Sequence, residues 1–239
     1  MQPDPATLIE ILGLRTPPTG CYDAPDVTPF EPLVRPEPGR WSCMFAFYAD
    51  WLRGRTLLLT KDNHGCGGAG SCLLGVEARS REQMISFLFE DEGLKRTREI
   101  MGRWVDGRRT YGPQFGHLLI GPLRPDQYEY LKTVTFYVNP DQLAAFIVGA
   151  HYDSGPDDPP SAVAQFGSGC SQLLPVFEDL SLPRAAIGAT DAAMRKHLPP
   201  DTLAFTVTKP MFRQLCELDE RSFLYKSFWR DLQKARAGV

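Results

Sequence analysis

Residues 133–142 are Thr-Val-Thr-Phe-Tyr-Val-Asn-Pro-Asp-Gln. The β-branched and aromatic side chains from Thr133 to Val138 suit a pleated, half-buried surface, so this stretch is a strand. Asn139-Pro140-Asp141 then turns the chain. Proline at the first helical position gives up an N–H that would have no helical partner anyway, and it opens a helix from Gln142 to Gly149. The same order recurs at Leu203 to Thr208, where Leu-Ala-Phe-Thr-Val-Thr leads into Lys209-Pro210 and an amphipathic helix from Met211 to Leu218. Two such strand–turn–helix units point to βα units sharing one sheet, and more weakly to an internal duplication. The expected fold class is α+β, a mixed β-sheet with flanking helices.

Further elements extend outward from these units. Leu8, Ile9, Leu12 and Leu14 fit one face of a short helix starting after Pro5. Arg15 to Gly20 is a turn, and the closely spaced prolines that follow mark an extended, irregular stretch to Gly39. Trp41, Phe45, Tyr48 and Leu52 recur at helical spacing and predict a helix from Trp41 to Leu52, stopped by Gly54. Thr56 to Thr60 follows as a strand, and a second helical stretch is expected to begin near Ser71. From Ser80 to Gly107 apolar and charged residues alternate as in two amphipathic helices divided near Gly93. His117 to Ile120 is a short strand ended by Gly121-Pro122, Leu173 to Leu180 is helix-like, and Ala185 to Asp191 is a short strand and turn. We expect one domain over residues 1–239, with lobes 1–122 and 123–239.

Composition limits the function classes. Lysine and arginine number 26 against 29 aspartates and glutamates, a net charge of -3. Without a basic surplus to neutralise a phosphate backbone, nucleic acid is not the expected partner. No apolar run is long enough to cross a bilayer. The N-terminal residues lack the basic flank and uninterrupted apolar core of a secretory signal. The expectation is therefore a cytoplasmic protein with reduced thiols, in which the six cysteines are candidate ligands, nucleophiles or small buried hydrophobes.

The densest chemistry lies at Thr60 to Gly75, Thr-Lys-Asp-Asn-His-Gly-Cys-Gly-Gly-Ala-Gly-Ser-Cys-Leu-Leu-Gly. Cys66 and Cys170 each sit where a glycine loop feeds a helix, a location that lowers a thiol pKa and favours the thiolate. Cys43 lies one element away from Cys66. Three thiolates from separate segments suit an iron–sulfur cluster or a zinc ion, with His64 as the nearest candidate for a fourth position. A second possibility is a metal-free module that holds a small anion on backbone amides around Gly67, Gly68 and Gly169, with Arg195 or Lys61 completing the charge. A third makes Cys66 a nucleophile and His64 its base. Asp191 is either a helix cap or a ligand. The partner in each case is a small molecule or a redox protein, and whether catalysis follows is open.

The order of these motifs resembles the DUF169 family of uncharacterised proteins. The resemblance rests on the cysteine in an aromatic helix (Cys43), the strand ending in LTKDNHGCGGA (Cys66), the TFYVNPDQ strand–turn–helix, the GSGCSQ loop (Cys170), the GATD turn (Asp191) and the final LAFTVTKP strand–helix. It runs from about Leu8 to Leu224. It implies the architecture and the three cysteine positions Cys43, Cys66 and Cys170, and it carries no assigned activity. Cys21, Cys72 and Cys216 fall outside the family's motif positions.

Overall fold

The computed structural model describes residues 3–238 apart from Trp41, Gln165, Ser168 and Val176. Its strands are β1 (Thr19–Tyr22), β2 (Leu33–Val34), β3 (Thr56–Thr60), β4 (His117–Pro122), β5 (Leu131–Val138), β6 (Ala162–Ala164), β7 (Ala185–Gly188) and β8 (Leu203–Thr208). Its helices are α1 (Ala6–Leu12), α2 (Tyr48–Leu52), α3 (Gly67–Leu74), α4 (Arg81–Ser86), α5 (Arg98–Asp106), α6 (Pro140–Ala150), α7 (Gly169–Leu173), α8 (Lys209–Cys216) and α9 (Ser227–Ala237). Among the described residues no helix is long and apolar enough to cross a membrane.

The strands make one mixed sheet in the order β2-β3-β4-β1-β5-β8-β7-β6, which makes this an α+β protein. The two strand–turn–helix units lie side by side: β5 pairs antiparallel with β8, from Thr133 opposite Thr208 to Val138 opposite Leu203. The sheet repeats one neighbour pattern about the antiparallel β1–β5 contact. On one side β1–β4 and β4–β3 are antiparallel and β3–β2 is parallel. On the other, β5–β8 and β8–β7 are antiparallel and β7–β6 is parallel. This internal two-fold relates β1 to β5 and β4 to β8, so the two similar sequence units, on β5 and β8, lie within one half. Residue 122 ends the last strand of the first half, and the sheet continues unbroken from one half to the other.

Side-chain alternation sends each strand's residues to two separate cores. Leu58, Leu119, Val134, Phe136, Val138, Phe205 and Val207 face a core covered by α1, α6, α8 and α9. Leu57, Leu59, Leu118, Ile120 and Tyr137 face the opposite core, covered by α2, α3 and α7. A smaller cluster of Met84, Ile85, Met101 and Val105 holds α4 against α5. The Asn139 side chain caps α6 by accepting from the Gln142 amide at 2.9 Å, and the Gln142 side chain accepts from the Asn139 amide at 3.0 Å. This reciprocal cap is the local reason that the chain turns sharply after β5.

Several expectations are corrected. The irregular N-terminal stretch contains β1, a strand at the centre of the sheet. Its four residues, Thr-Gly-Cys-Tyr, are all buried, so they show no alternation of apolar and polar residues. The helix expected from Trp41 to Leu52 divides into a 3-10 turn, Met44–Phe47, and α2. Cys43 precedes it in extended conformation, and Trp41 lies outside the described residues. α3 starts at Gly67 rather than near Ser71, so its glycines form the first helical turn instead of a loop. Near Cys170 the helix occupies Gly169–Leu173, and Leu173 is its end rather than its start.

Phe136 is fully buried between β5, α6 and α8, with its ring centroid 4.6 Å from that of Phe146 and 6.3 Å from that of Phe212. Phe136→Ala is expected to cost about 3–5 kcal/mol of stability, read as a lower urea midpoint with an unchanged slope.

Candidate functional site

The turn after β3 is fixed by Asn63, whose side-chain oxygen accepts from the Thr60 amide at 2.9 Å and from the Thr60 hydroxyl at 2.6 Å. Gly65 follows with φ +76, and a Cβ there would lie 2.7 Å from the Ser42 carbonyl oxygen. This close approach lets the Ser42 amide bond the Gly65 carbonyl at 3.2 Å, which brings the segment carrying Cys43 alongside the loop carrying Cys66. His64 lies against Gly70, where a Cβ would be 2.7 Å from Nδ1. The ring's Nδ1–H donates to the Cys66 carbonyl at 2.9 Å.

Cys66 is the N-cap of α3, and its Sγ accepts from the Ala69 amide at 3.3 Å. The Gly68 amide and the Cys170 thiol lie near this sulfur and favour its charged form. Cys170 comes from α7, which packs against α3. Asp191 and its neighbours hold α7 in place. Asp191 Oδ2 accepts from the Gly169 amide at 3.2 Å, and Oδ1 accepts from the Ala193 amide at 2.9 Å. Gln172 Nε2 donates to Thr190 Oγ1 at 2.7 Å, and the Thr133 hydroxyl donates to the Leu173 carbonyl at 2.7 Å. Gly169 has no room for a side chain, since a Cβ would lie 2.9 Å from Met194 Cγ and 3.0 Å from Phe45 Cε2.

The internal two-fold organises these groups. Cys43 precedes the helical turn between β2 and β3, and Cys170 sits in the helix between β6 and β7. Cys66 caps the helix after β3, and Asp191 caps the 3-10 helix after β7. Related positions in the two halves thus supply all four residues.

Their thiols differ electrostatically. Cys66 is pulled down to about 6, first by the neighbouring Cys170 thiol, against the opposing effect of burial, and further by the amides of Ala69 and Gly68 and the nearby His64. Cys43 is pushed up to about 11 by burial, with the charges of Cys66 and Asp191 adding to the shift and Lys196 opposing it. Burial alone dominates at Cys21 and Cys216, both pushed up to about 12. The arrangement therefore concentrates negative charge on one sulfur, the half-buried Cys66.

The structure brings Cys43, Cys66, Cys170, His64 and Asp191 to one face of the sheet. Gly68 serves this site through its amide, Gly67 lies in the same helical turn, and the Gly169 amide is directed at Asp191 rather than outward. Arg195 lies elsewhere in its interactions: it donates to the carbonyls of Thr202, Pro199 and Pro200 and so closes its own turn. Lys61 is exposed. Sequence reasoning missed Glu92, which burial and the charge of Asp191 together raise above the usual carboxylate range. It also missed Lys196. Both occur in charged stretches with no local mark of proximity to the cysteines. Among the described residues no group of three or more His, Cys, Asp or Glu is disposed to hold a metal ion.

Fold and site together define an α+β protein with a cysteine-capped helix on one face of a sheet built from two similarly wired halves. The chain belongs to the DUF169 family, described as an uncharacterised ArCR family, whose profile matches residues 7–217. No curated protein and no solved structure matches it.

A free cysteine titrates at about 8.5. In the intact protein one thiol is expected to react with iodoacetamide with a midpoint well below that value, and Cys66→Ser is expected to remove the fast phase. Asp191→Ala, which releases the start of α7, is expected to move the midpoint upward. The linkage has a fixed sign: a thiol lowered in the folded state stabilises the fold above its unfolded pKa, and this contribution disappears as pH falls through about 6. The stability difference between the wild type and Cys66→Ala, measured by urea unfolding, should therefore contain a component that shrinks on acidification.

Proposed function

We propose that the protein performs thiol–disulfide chemistry, with Cys66 as the attacking sulfur and Cys170 as the resolving one. The observation that carries this reading is the placement of Cys170, on α7 packed against α3, beside the Cys66 sulfur that caps α3 and accepts from the Ala69 amide. Cys66 is half-buried and can meet a substrate from outside, whereas Cys170 is only 4% exposed and stands behind it. The Cys66 thiolate attacks one sulfur of a small disulfide, forming a mixed disulfide and expelling the other sulfur as a thiolate. Cys170 then loses its proton to the solvent or to the departing thiolate and attacks Cys66. A Cys66–Cys170 disulfide forms and the second substrate thiolate leaves. The substrate is reduced, the protein's cysteine pair is oxidised, and an external dithiol resets it by the reverse exchange.

A second reading is favoured by one further observation: Cys43 senses the charges of both Cys66 and Asp191, so a third sulfur stands close to the pair. Three sulfurs with Asp191 or His64 suit a soft metal, zinc or an iron–sulfur cluster. The fit is incomplete, since the described residues offer no ready group of metal ligands.

One experiment separates the two. Protein purified without oxygen is analysed for iron, zinc and visible absorption, then treated with an aromatic disulfide that releases a coloured thiol. Thiol–disulfide chemistry predicts metal-free protein, rapid release of two equivalents of coloured thiol, and a Cys66–Cys170 cross-link in peptide mass maps. Cys170→Ser should stop at the mixed disulfide on Cys66. A stable mixed disulfide on wild-type Cys66 would refute the resolving role of Cys170. Stoichiometric metal that Cys66→Ser abolishes would establish the second reading instead.

A further inference from the structure

A cavity of about 180 Å³ opens between α3 and the α4–α5 pair, lined by Ser71, Glu77, Arg79, Arg81, Asp106 and Arg108 over an apolar floor. Its polar groups are ordered by the fold. Arg81 is committed to Asp106 through two hydrogen bonds of 2.5 and 2.8 Å, which leaves that pair close to neutral. Arg79 lies over the Phe87 ring, its Cζ 3.9 Å from the centroid, and its charge also acts on Glu92. Arg108 is half-buried and pinned twice, with Nε donating to the Val105 carbonyl at 3.1 Å and Nη1 donating to the Ser71 hydroxyl at 3.1 Å. Among the described residues Arg108 forms no ion pair.

The segment after Arg108 is stitched to α3, which fixes the guanidinium relative to Ser71. Thr110 Oγ1 donates to the Ser71 carbonyl at 3.0 Å, the Tyr111 amide to the Cys72 carbonyl at 2.9 Å, and the Gly112 amide to the Leu73 carbonyl at 3.3 Å. An arginine held in this way loses little conformational freedom on binding, and its planar fork matches the oxygens of a phosphate or sulfate. Asp106 is held by Arg81 and Glu77 is exposed at the cavity's edge, so the fixed Arg108 guanidinium is the cation the cavity offers to a small anion.

We propose that this cavity is a binding site for a small oxyanion, a phosphate or sulfate group, held by Arg108 with Ser71 and flanked by Arg79. It is separate from the Cys66 site in its residues and does not depend on thiol chemistry there. The two are joined through α3, which Cys66 caps and which carries Ser71 in its body.

The test is titration calorimetry and thermal unfolding of the full chain with inorganic phosphate, against chloride at equal ionic strength, and in parallel with phenyl phosphate. The expected result is saturable heat and a rising Tm with phosphate but not chloride. Arg108→Ala should weaken binding by about tenfold or more, the usual effect of losing a charge-assisted hydrogen bond. Arg108→Lys keeps the charge but loses the fork, and should weaken it less. Tighter binding of phenyl phosphate assigns the pocket to the phosphate end of a larger molecule, and equal or weaker binding assigns it to the free ion. The proposal is overturned if wild-type protein shows no saturable binding, if chloride acts equally, or if folded Arg108→Lys and Arg108→Ala both bind as the wild type does.

Discussion

The antiparallel pairing of β1 with β5 is the contact on which the rest of the molecule depends. It joins two similarly wired half-sheets into one, with Gly20 opposite Val134 and Cys21 opposite Thr133. Each half delivers a helical turn between its two parallel outer strands and a second one after the inner of those strands. Because the halves meet at β1 and β5, these segments are brought onto a common face. The three cysteines and the aspartate of the site are distant in sequence and neighbours in space for this reason.

Within that face, hydrogen bonding selects which sulfur carries charge. Desolvation raises a buried thiol, and it leads the upward shifts at Cys21 and Cys216. Cys66 escapes this because the Ala69 amide donates to it and the neighbouring Cys170 thiol and Gly68 amide favour its charged form. Once Cys66 is negative, its charge and that of Asp191 discourage ionisation of Cys43. The asymmetry separates a nucleophilic sulfur from protonated reserves without requiring any of them to be fully exposed. Gly70 and Gly169 belong to the same device, since a Cβ at either would strike His64 or the Phe45 and Met194 side chains.

Much of the fold could be read locally. The alternation from Thr133 to Val138, the capping residue Asn139 and the prolines at 140 and 210 identify β5, β8 and the helices that follow them, because each signal is contained within a few residues. β1 could not be read in this way. Its residues are short, partly small and buried on both faces, so no polar positions mark its period, and its central place rests on partners about a hundred residues away. β6 is shorter still, three residues paired along β7. The helix boundaries around Cys66 and Cys170 shifted because glycine has low helix propensity in isolation. Packing of α3 against α7 and the sheet overrides that preference.

The sequence by itself determined the α+β class, the two strand–turn–helix units, the charge balance and the cysteines worth following. These follow from side-chain periodicity, proline and glycine stereochemistry, and composition, all of which act over short range. Only the tertiary structure decided that Cys66 and Cys170 stand together where α3 packs on α7, that Asp191 holds α7 while Arg195 closes its own turn, and that Arg108 stands fixed over Ser71. Those outcomes depend on strand register and on helices packed from opposite halves of one sheet. A thiol's ionisation depends on the donors and charges around it, and the long-range pairing of β1 with β5 is what assembles that surrounding.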